Sequence, residues 1–186
     1  MKIETKRLLL RPWQLSDQLP FAQMLADPDY NKFMPGPFPP HKADQIFTEI
    51  QNRTRAHQIG PLVVELPRQE PFLGYLGLTI PAVTLPFSPC VEIGWHLVPR
   101  FWGQGYATEG AVAVLKYGFE QLELEEVVAF TVPENLASRG VMEKIGMTQE
   151  LTGDFDHPAL DEGHPLRRHV LYRIQRDDFN AMISTR

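Results

Sequence analysis

Cysteine is almost missing: Cys90 is the single one in 186 residues. No intrachain disulfide framework can form, and the chain fits a reducing compartment. Positive charge is also short. Eighteen Lys and Arg face 23 Asp and Glu, a formal net charge of −5. Nucleic-acid binding needs clustered Lys and Arg, so no such partner is expected. An acid excess of this size is ordinary solubility charge, and more weakly it favours a cationic partner such as an amine. Long apolar runs are absent too. The opening MKIETKRLLLRPW holds three leucines closed by Arg11, which is no signal peptide. Nothing approaches the roughly 18 apolar residues of a spanning helix. These absences predict a cytoplasmic protein with no membrane partner. Aromatics at 10% and charged residues at 22% exclude a disordered chain, and the length predicts one domain over residues 1–186.

Proline shows a local absence. Seventeen are present, five between Pro28 and Pro40 and seven between Pro61 and Pro99, yet none falls from Arg100 to Val132. One stretch of backbone therefore keeps every amide while the rest is heavily punctuated.

Periodicity places the elements. Arg7 to Arg11 (RLLLR) reads as a buried strand. Ser16 and Asp17 can cap a helix from about Gln18 to Ala26, with Phe21, Met24 and Leu25 inward. Pro28 to Pro40 reads as a loop. A helix from about Lys42 to His57 shows Ile46, Phe47 and Ile50 on one face. Leu62–Leu66 and Phe72–Ile80 read as a hairpin. In the strand Val91–Val98, Val91, Ile93, Trp95 and Leu97 alternate with Glu92, Gly94, His96 and Val98. Ala111, Leu115 and Phe119 mark a helix from Tyr106 to about Gln121. A strand Glu126–Val132 follows, then a helix Asn135–Ile145 ended by Gly146. Strands near Met147–Leu151 and over Arg168–Ile174 and a short helix from Asp177 close the chain. Strand Val91–Val98, its helix and strand Glu126–Val132 form a βαβ unit with a parallel pair. The hairpins make the sheet mixed. This is an α/β sandwich, not a doubly wound fold.

The proline-free block opens on Arg100-Phe101-Trp102-Gly103-Gln104-Gly105-Tyr106-Ala107-Thr108-Glu109-Gly110. Glycines one residue apart between strand and helix let a ligand approach the backbone. The unpaired amides of a helix start carry partial positive charge, which suits a pyrophosphate. Ala107, Gly110 and Ala111 keep the first turn small, consistent with something bulky against it. A dinucleotide fingerprint would need a third glycine where Thr108 stands, and a P-loop would need Gly-Lys-Ser/Thr. A tight strand–helix turn without ligand explains the glycines equally.

In its surroundings the segment resembles motif A of the GNAT superfamily of acetyl-CoA-dependent N-acetyltransferases, in the branch that acetylates ribosomal-protein N-termini. The resemblance rests on Glu92-Ile93-Gly94-Trp95-His96-Leu97-Val98-Pro99-Arg100-Phe101-Trp102-Gly103-Gln104-Gly105-Tyr106-Ala107-Thr108-Glu109. The opening Glu4-Thr5-Lys6-Arg7-Leu8-Leu9-Leu10-Arg11, the Asn135-Leu136-Ala137-Ser138 stretch and Glu143-Lys144-Ile145-Gly146-Met147 extend it over nearly the whole chain. Trp102 departs from the Gln or Arg of the general motif. The resemblance implies a mixed, mostly antiparallel sheet with one central parallel pair and helices on both faces. It implies that the main chain of Trp95, His96 and Leu97 holds the pantetheine arm and acetyl carbonyl of acetyl-CoA. It gives the pyrophosphate to the amides of Gly103, Gln104, Gly105, Tyr106 and Ala107, with Trp102 at the first motif position as a further cofactor-binding residue.

The implied chemistry is direct acetyl transfer to a primary amine, with a protein or peptide α-amine favoured. An amino acid, a polyamine or an antibiotic amine is the alternative small acceptor. An ammonium has no lone pair, so a proton must leave first; an α-amino group titrates near 7.7–8.0 and lysine near 10.4. Glu92 is the candidate base, sharing a strand face with Gly94 and His96, and His96 is a weaker alternative. Many family members place a Tyr as thiolate proton donor where Met142 stands. In the resembled branch a serine serves, which maps to Ser138, with Asn135 as a cofactor contact. Helix capping explains the same Asn–Ser spacing. Cys90 lacks an evident activating partner for a nucleophile. Asp154, Asp156, His157, Asp161, Glu162 and His164 lack a fixed metal spacing, so no metal is expected. The Pro28–Pro40 and Gly153–Arg168 loops are expected walls of the acceptor side. A non-catalytic acetyl-CoA-binding module is the competing reading, and the assembly is expected to be a monomer or homodimer.

Overall fold

The computed structural model describes residues 1–185. They divide into two compact units, residues 1–79 with 94–114, and residues 80–93 with the chain from 115 onward. Among the described residues no helix is long and apolar enough to cross a membrane.

In the first unit β1 (Ile3–Glu4), β2 (Leu9–Arg11), β3 (Pro61–Leu66) and β4 (Glu70–Thr79) follow one another as antiparallel neighbours. The expected strand Arg7–Arg11 is the shorter Leu9–Arg11, and β1 before it was not expected. Beside β4 runs β5 (Glu92–Leu97), whose residues from Gly94 onward belong to this unit. Gly74 has φ of +134°, and a Cβ there would stand 2.1 Å from the His96 carbonyl. Only glycine permits that approach of β4 to β5.

Helices α1 (Gln18–Ala26) and α2 (Pro40–His57) cover this sheet's core. Phe21, Met24 and Leu25 are buried as their spacing predicts, with Ala43, Phe47, Val63 and Phe72. Trp13 sits edge-on to Phe21 and Phe47 at 5.3 and 5.5 Å, and its indole N–H donates to the Pro61 carbonyl at 2.9 Å. Asp17 stands at the N-cap position of α1 as expected, but its side chain makes no cap bond into that helix. It is buried in a bidentate pair with Arg11, both bonds at 2.8 Å, and its Oδ2 also accepts the Gln14 amide at 2.7 Å. A charge so enclosed needs its partner.

The Pro28–Pro40 segment is more ordered than a plain loop. It contains a 3-10 turn, Tyr30–Phe33, and Tyr30 is buried within the core. Helix α3 (Tyr106–Glu120) begins in this unit. A Cβ on Gly110 would meet Leu76 Cδ2 at 2.4 Å. The bulky group that the small residue at 110 admits is Leu76 of β4.

In the second unit β5 and β6 (Glu126–Thr131) pair in parallel through a single rung, Glu92↔Val128, supported by the Val128 amide donating to the Val91 carbonyl at 2.9 Å. β6 then pairs antiparallel along its full length with β9 (Arg168–Gln175), which also takes β7 (Thr148–Gln149) and β8 (Phe155–Asp156). α4 (Leu136–Lys144) contacts β6, and α5 (Arg176–Ser184) contacts β9. Leu115 and Phe119, on the last turns of α3, are buried as predicted, Phe119 against Phe179 at 5.2 Å. Gly146 closes α4 at φ +87°, the left-handed cap that its sequence position implied. The fold is mixed α/β, mostly antiparallel, with one parallel pair.

Candidate active site

The glycine turn is built by strand end, 3-10 turn and helix start in series. Pro99–Phe101 forms the 3-10 turn. The Trp102 amide donates to the Pro99 carbonyl at 3.0 Å, and the Gln104 side-chain amide donates to the Arg100 carbonyl at 3.0 Å. Gly103 and Gly105 then take φ of +72° and +81°, which side chains other than glycine's adopt at a cost. The α3 ladder starts only when the Glu109 amide donates to the Gly105 carbonyl at 3.0 Å. Among the described residues, no protein acceptor receives the amides of Gly103 to Thr108.

These amides suit an anion. Gly103, Gln104 and Gly105 are exposed, and a Cβ at Gly103 would meet nothing within 4 Å. Successive exposed N–H groups at the positive end of α3 supply the donors that a pyrophosphate requires. The donor set therefore fits the group that the sequence resemblance implies.

Three residues given no role from the sequence hold the turn. Glu109 Oε2 pairs with Arg7 Nε at 2.6 Å. Glu109 Oε1 accepts the Thr5 hydroxyl at 2.6 Å and the Arg7 amide at 2.8 Å. Arg7 Nη1 donates to the Gln104 carbonyl at 3.0 Å, and its guanidinium lies 4.5 Å from the Tyr106 ring centroid. Burial alone would raise the Glu109 carboxyl. Hydrogen bonds from Thr5 and Arg7 more than offset it and hold the group below its ordinary range. The available signal was the joint presence of Thr5, Arg7 and Glu109 in the two resembling motifs, although no local pattern links them.

On β5 the expected cofactor residues lie together. Leu97 is buried, and its carbonyl accepts the Trp102 indole N–H at 2.7 Å. That oxygen is thus already used to tie the turn to the strand, while 48% of Trp102 remains exposed. Trp95 and His96 are both partly exposed. The His96 imidazole stacks on Tyr75 with centroids 4.6 Å apart and planes 19° from parallel, and its Nδ1 lies 2.9 Å from the Tyr30 hydroxyl. Burial lowers the imidazole to about 4.

In the second unit, the Glu92 carboxyl is raised to about 8 by burial. A carboxylate so displaced takes a proton far more readily than an ordinary one. Cys90 is also raised, by burial first and by Glu92 second, the opposite of an activated thiol.

At the start of α4, Asn135 is the N-cap. Its Oδ1 accepts the Ser138 amide at 3.2 Å, and its Nδ2 donates to Thr131 Oγ1 at 3.1 Å. The side chain expected at the cofactor is therefore spent on its own helix. Ser138 is partly exposed and Met142 is buried.

In the Gly153–Arg168 stretch Phe155, His157 and, from β9, His169 gather around Phe130, with centroids 5.5, 5.9 and 5.8 Å from it. Burial lowers both imidazoles. Among the described residues no group of three or more His, Cys, Asp or Glu is arranged for a metal ion.

Residues 7–148 match the family model described as acetyltransferase (GNAT) domain. A relative, the uncharacterized N-acetyltransferase YnaD of Bacillus subtilis (strain 168), is 28% identical over 187 residues, 97% of this chain and 100% of its own. The crystal structure of an acetyltransferase (GNAT family) from Bacillus anthracis matches with a TM-score of 0.77 at 29% identity, covering 95% of this chain and 99% of that one. Mycobacterium smegmatis RimJ, solved in complex with CoA-disulfide, has a TM-score of 0.77 at 22% identity, covering 100% and 94%. It shares the fold.

Proposed function

The chain belongs to the GNAT acetyltransferase family, and from that premise we propose that it transfers an acetyl group from acetyl-CoA to a primary amine, as one acetyltransferase domain. The observation that carries the reading is the glycine turn: Gly103, Gln104 and Gly105 are exposed, and among the described residues no protein acceptor takes the amides from Gly103 to Thr108 at the start of α3. Acetyl-CoA, when bound, supplies the acetyl group as a thioester. The amides of Gly103, Gln104, Gly105, Tyr106 and Ala107 would hold its pyrophosphate. The main chain of Trp95 and His96 would hold its arm.

Glu92 takes the proton that an ammonium must lose. With its carboxyl near 8, it matches an α-amine at about 7.7–8.0 better than a lysine near 10.4. This favours a peptide or protein α-amine. Ser138 is retained as the thiolate's proton donor on its sequence match, with Asn135 acting through the cap that sets α4.

Two measurements test this. Acetyl-CoA at about 100 times its Kd should stabilise the protein by roughly 2.7 kcal/mol; no thermal shift defeats the reading. CoA-thiol release against peptides, free amino acids and polyamines then separates an enzyme from a binding module. Glu92→Gln should lower kcat/KM by about 10²-fold or more. The wild-type rise of kcat/KM near pH 8 should be replaced by one that follows each amine's own pKa. Linkage gives a second readout. A carboxyl raised on folding contributes stability below its unfolded value, and loses it as pH rises through the folded one. Wild-type Tm should therefore fall more steeply than that of Glu92→Gln between pH 5 and 8. Equal slopes and an unchanged rate would remove Glu92 from the role.

A further inference from the structure

The first unit contains a chain of hydrogen-bonding groups that the acetyl-transfer reading does not use. Tyr30, in the 3-10 turn after α1, is buried. Its hydroxyl lies 2.9 Å from His96 Nδ1, and the Tyr75 side chain on β4 is its other polar neighbour. Tyr75 also stacks face-on against the imidazole. The His96 ring is thus fixed at one edge by a phenol and on one face by a second ring. Its remaining nitrogen, Nε2, faces Gly94. A Cβ built on Gly94 would meet only Nε2, at 3.8 Å, and nothing else within 4 Å. Open space therefore lies in front of one nitrogen of an otherwise immobilised imidazole.

A phenol has one hydrogen to give. When Tyr30 gives it to Tyr75, the Tyr30 oxygen accepts Nδ1–H and Nε2 keeps its lone pair. An incoming neutral amine has N–H donors and must aim its own lone pair at the acetyl carbon, so it needs an acceptor at its side. We propose that His96 Nε2, over Gly94, accepts a hydrogen bond from the attacking amine, and that Tyr30 is the positioning residue that fixes the tautomer and plane of the imidazole. This deepens the acetyl-transfer reading and rests on it. The titratable groups touching the ring are the phenols of Tyr30 and Tyr75, and burial keeps the Tyr30 phenol protonated. Burial also keeps His96 neutral at assay pH. Its task is to orient the amine, with no net proton transfer to the ring.

The test has two arms. In 15N-histidine NMR, the signal lost in His96→Gln identifies His96. It should report a neutral ring with the proton on Nδ1, and Tyr30→Phe should shift the proton toward Nε2. A proton on Nε2 in the wild type, or no response to Tyr30→Phe, overturns the proposal without touching the acetyltransferase reading. In CoA-thiol release, Tyr30→Phe should raise KM for a peptide α-amine about fivefold, as for loss of one neutral hydrogen bond, at unchanged KM for acetyl-CoA. Gly94→Ala, whose methyl fits at ordinary contact distance, should do the same by filling the space. A role in stability alone would move Tm and both KM values together, and that result overturns the proposal. Wild-type protein that acetylates no amine defeats the acetyl-transfer reading and the amine contact with it, while the tautomer still reports on Tyr30.

Discussion

Two helix starts in this protein are each given a cofactor role by the resemblance and differ in what their amides do. At α3, Gly103 and Gly105 turn left-handed, and among the described residues no protein acceptor takes the amides to Thr108. At α4, Asn135 caps the helix itself through Oδ1 and the Ser138 amide. Each carries a small polar or glycine signature, and each was assigned a cofactor role from the sequence. The contrast shows that a helix dipole is not enough. The start of α3 is held open from outside by Arg7, Thr5 and Glu109, which bind the turn's carbonyl and side-chain groups and leave its N–H groups unspent. The start of α4 is closed from within. A ligand there must compete with a bond already made.

Substitutions at the two starts should therefore separate affinity from stability. The largest effect is expected from Gly105→Val. A branched side chain at φ +81° costs roughly 1–2 kcal/mol, which corresponds to about a 5–30-fold rise in the acetyl-CoA Kd if the turn pays it on binding. Titration calorimetry reads this directly, and an unchanged Kd would break the contrast. Next comes Asn135→Ala, which should lower stability by about 1 kcal/mol, typical of a lost cap, at unchanged acetyl-CoA affinity. A tenfold loss of affinity there would show that Asn135 contacts the cofactor after all. Smallest is Glu109→Gln. Arg7 is 41% exposed in this pair, so the ion pair contributes below about 1 kcal/mol and less at high salt. A two- to fivefold rise in Kd that fades in 1 M salt is expected. Because the Glu109 carboxyl is depressed, its contribution is present above the ordinary carboxylate range and lost as pH falls through the folded value. An affinity that stays constant as pH falls through and below that folded value would separate the clamp from the turn.

The parts legible in the sequence were those whose cause lies within about 20 residues. Helix α1 and its buried Phe21, Met24 and Leu25 followed from period alone, as did the inward line Ala111, Leu115 and Phe119. The glycine turn followed from backbone freedom between a strand and a helix. Longer connections escaped. Thr5 and Arg7 reach Glu109 across more than 100 positions, and Tyr30 reaches His96 across 66. Nothing in the neighbourhood of either partner announces the other. Asp17 stands at the N-cap of α1 as its sequence implies, but the Arg11 pair its carboxylate makes is a long-range feature, since the burial of Arg11 depends on β3 and β4. The small residues at the start of α3 imply a bulky neighbour without naming it, and at Gly110 it is Leu76 from β4.

The sequence by itself determined the alternation of elements, the parallel pair around a proline-free block, and the family through its motif. These depend on local backbone preference and on residue order, which the chain carries in one dimension. Only the tertiary structure decided which polar groups are spent and which remain available. It closed the start of α4, left the start of α3 open, and moved Glu92 up to about 8 and His96 down to about 4. Burial and the partner of a hydrogen bond are properties of three-dimensional neighbours, so the chemistry of each group is fixed only when the chain folds around it.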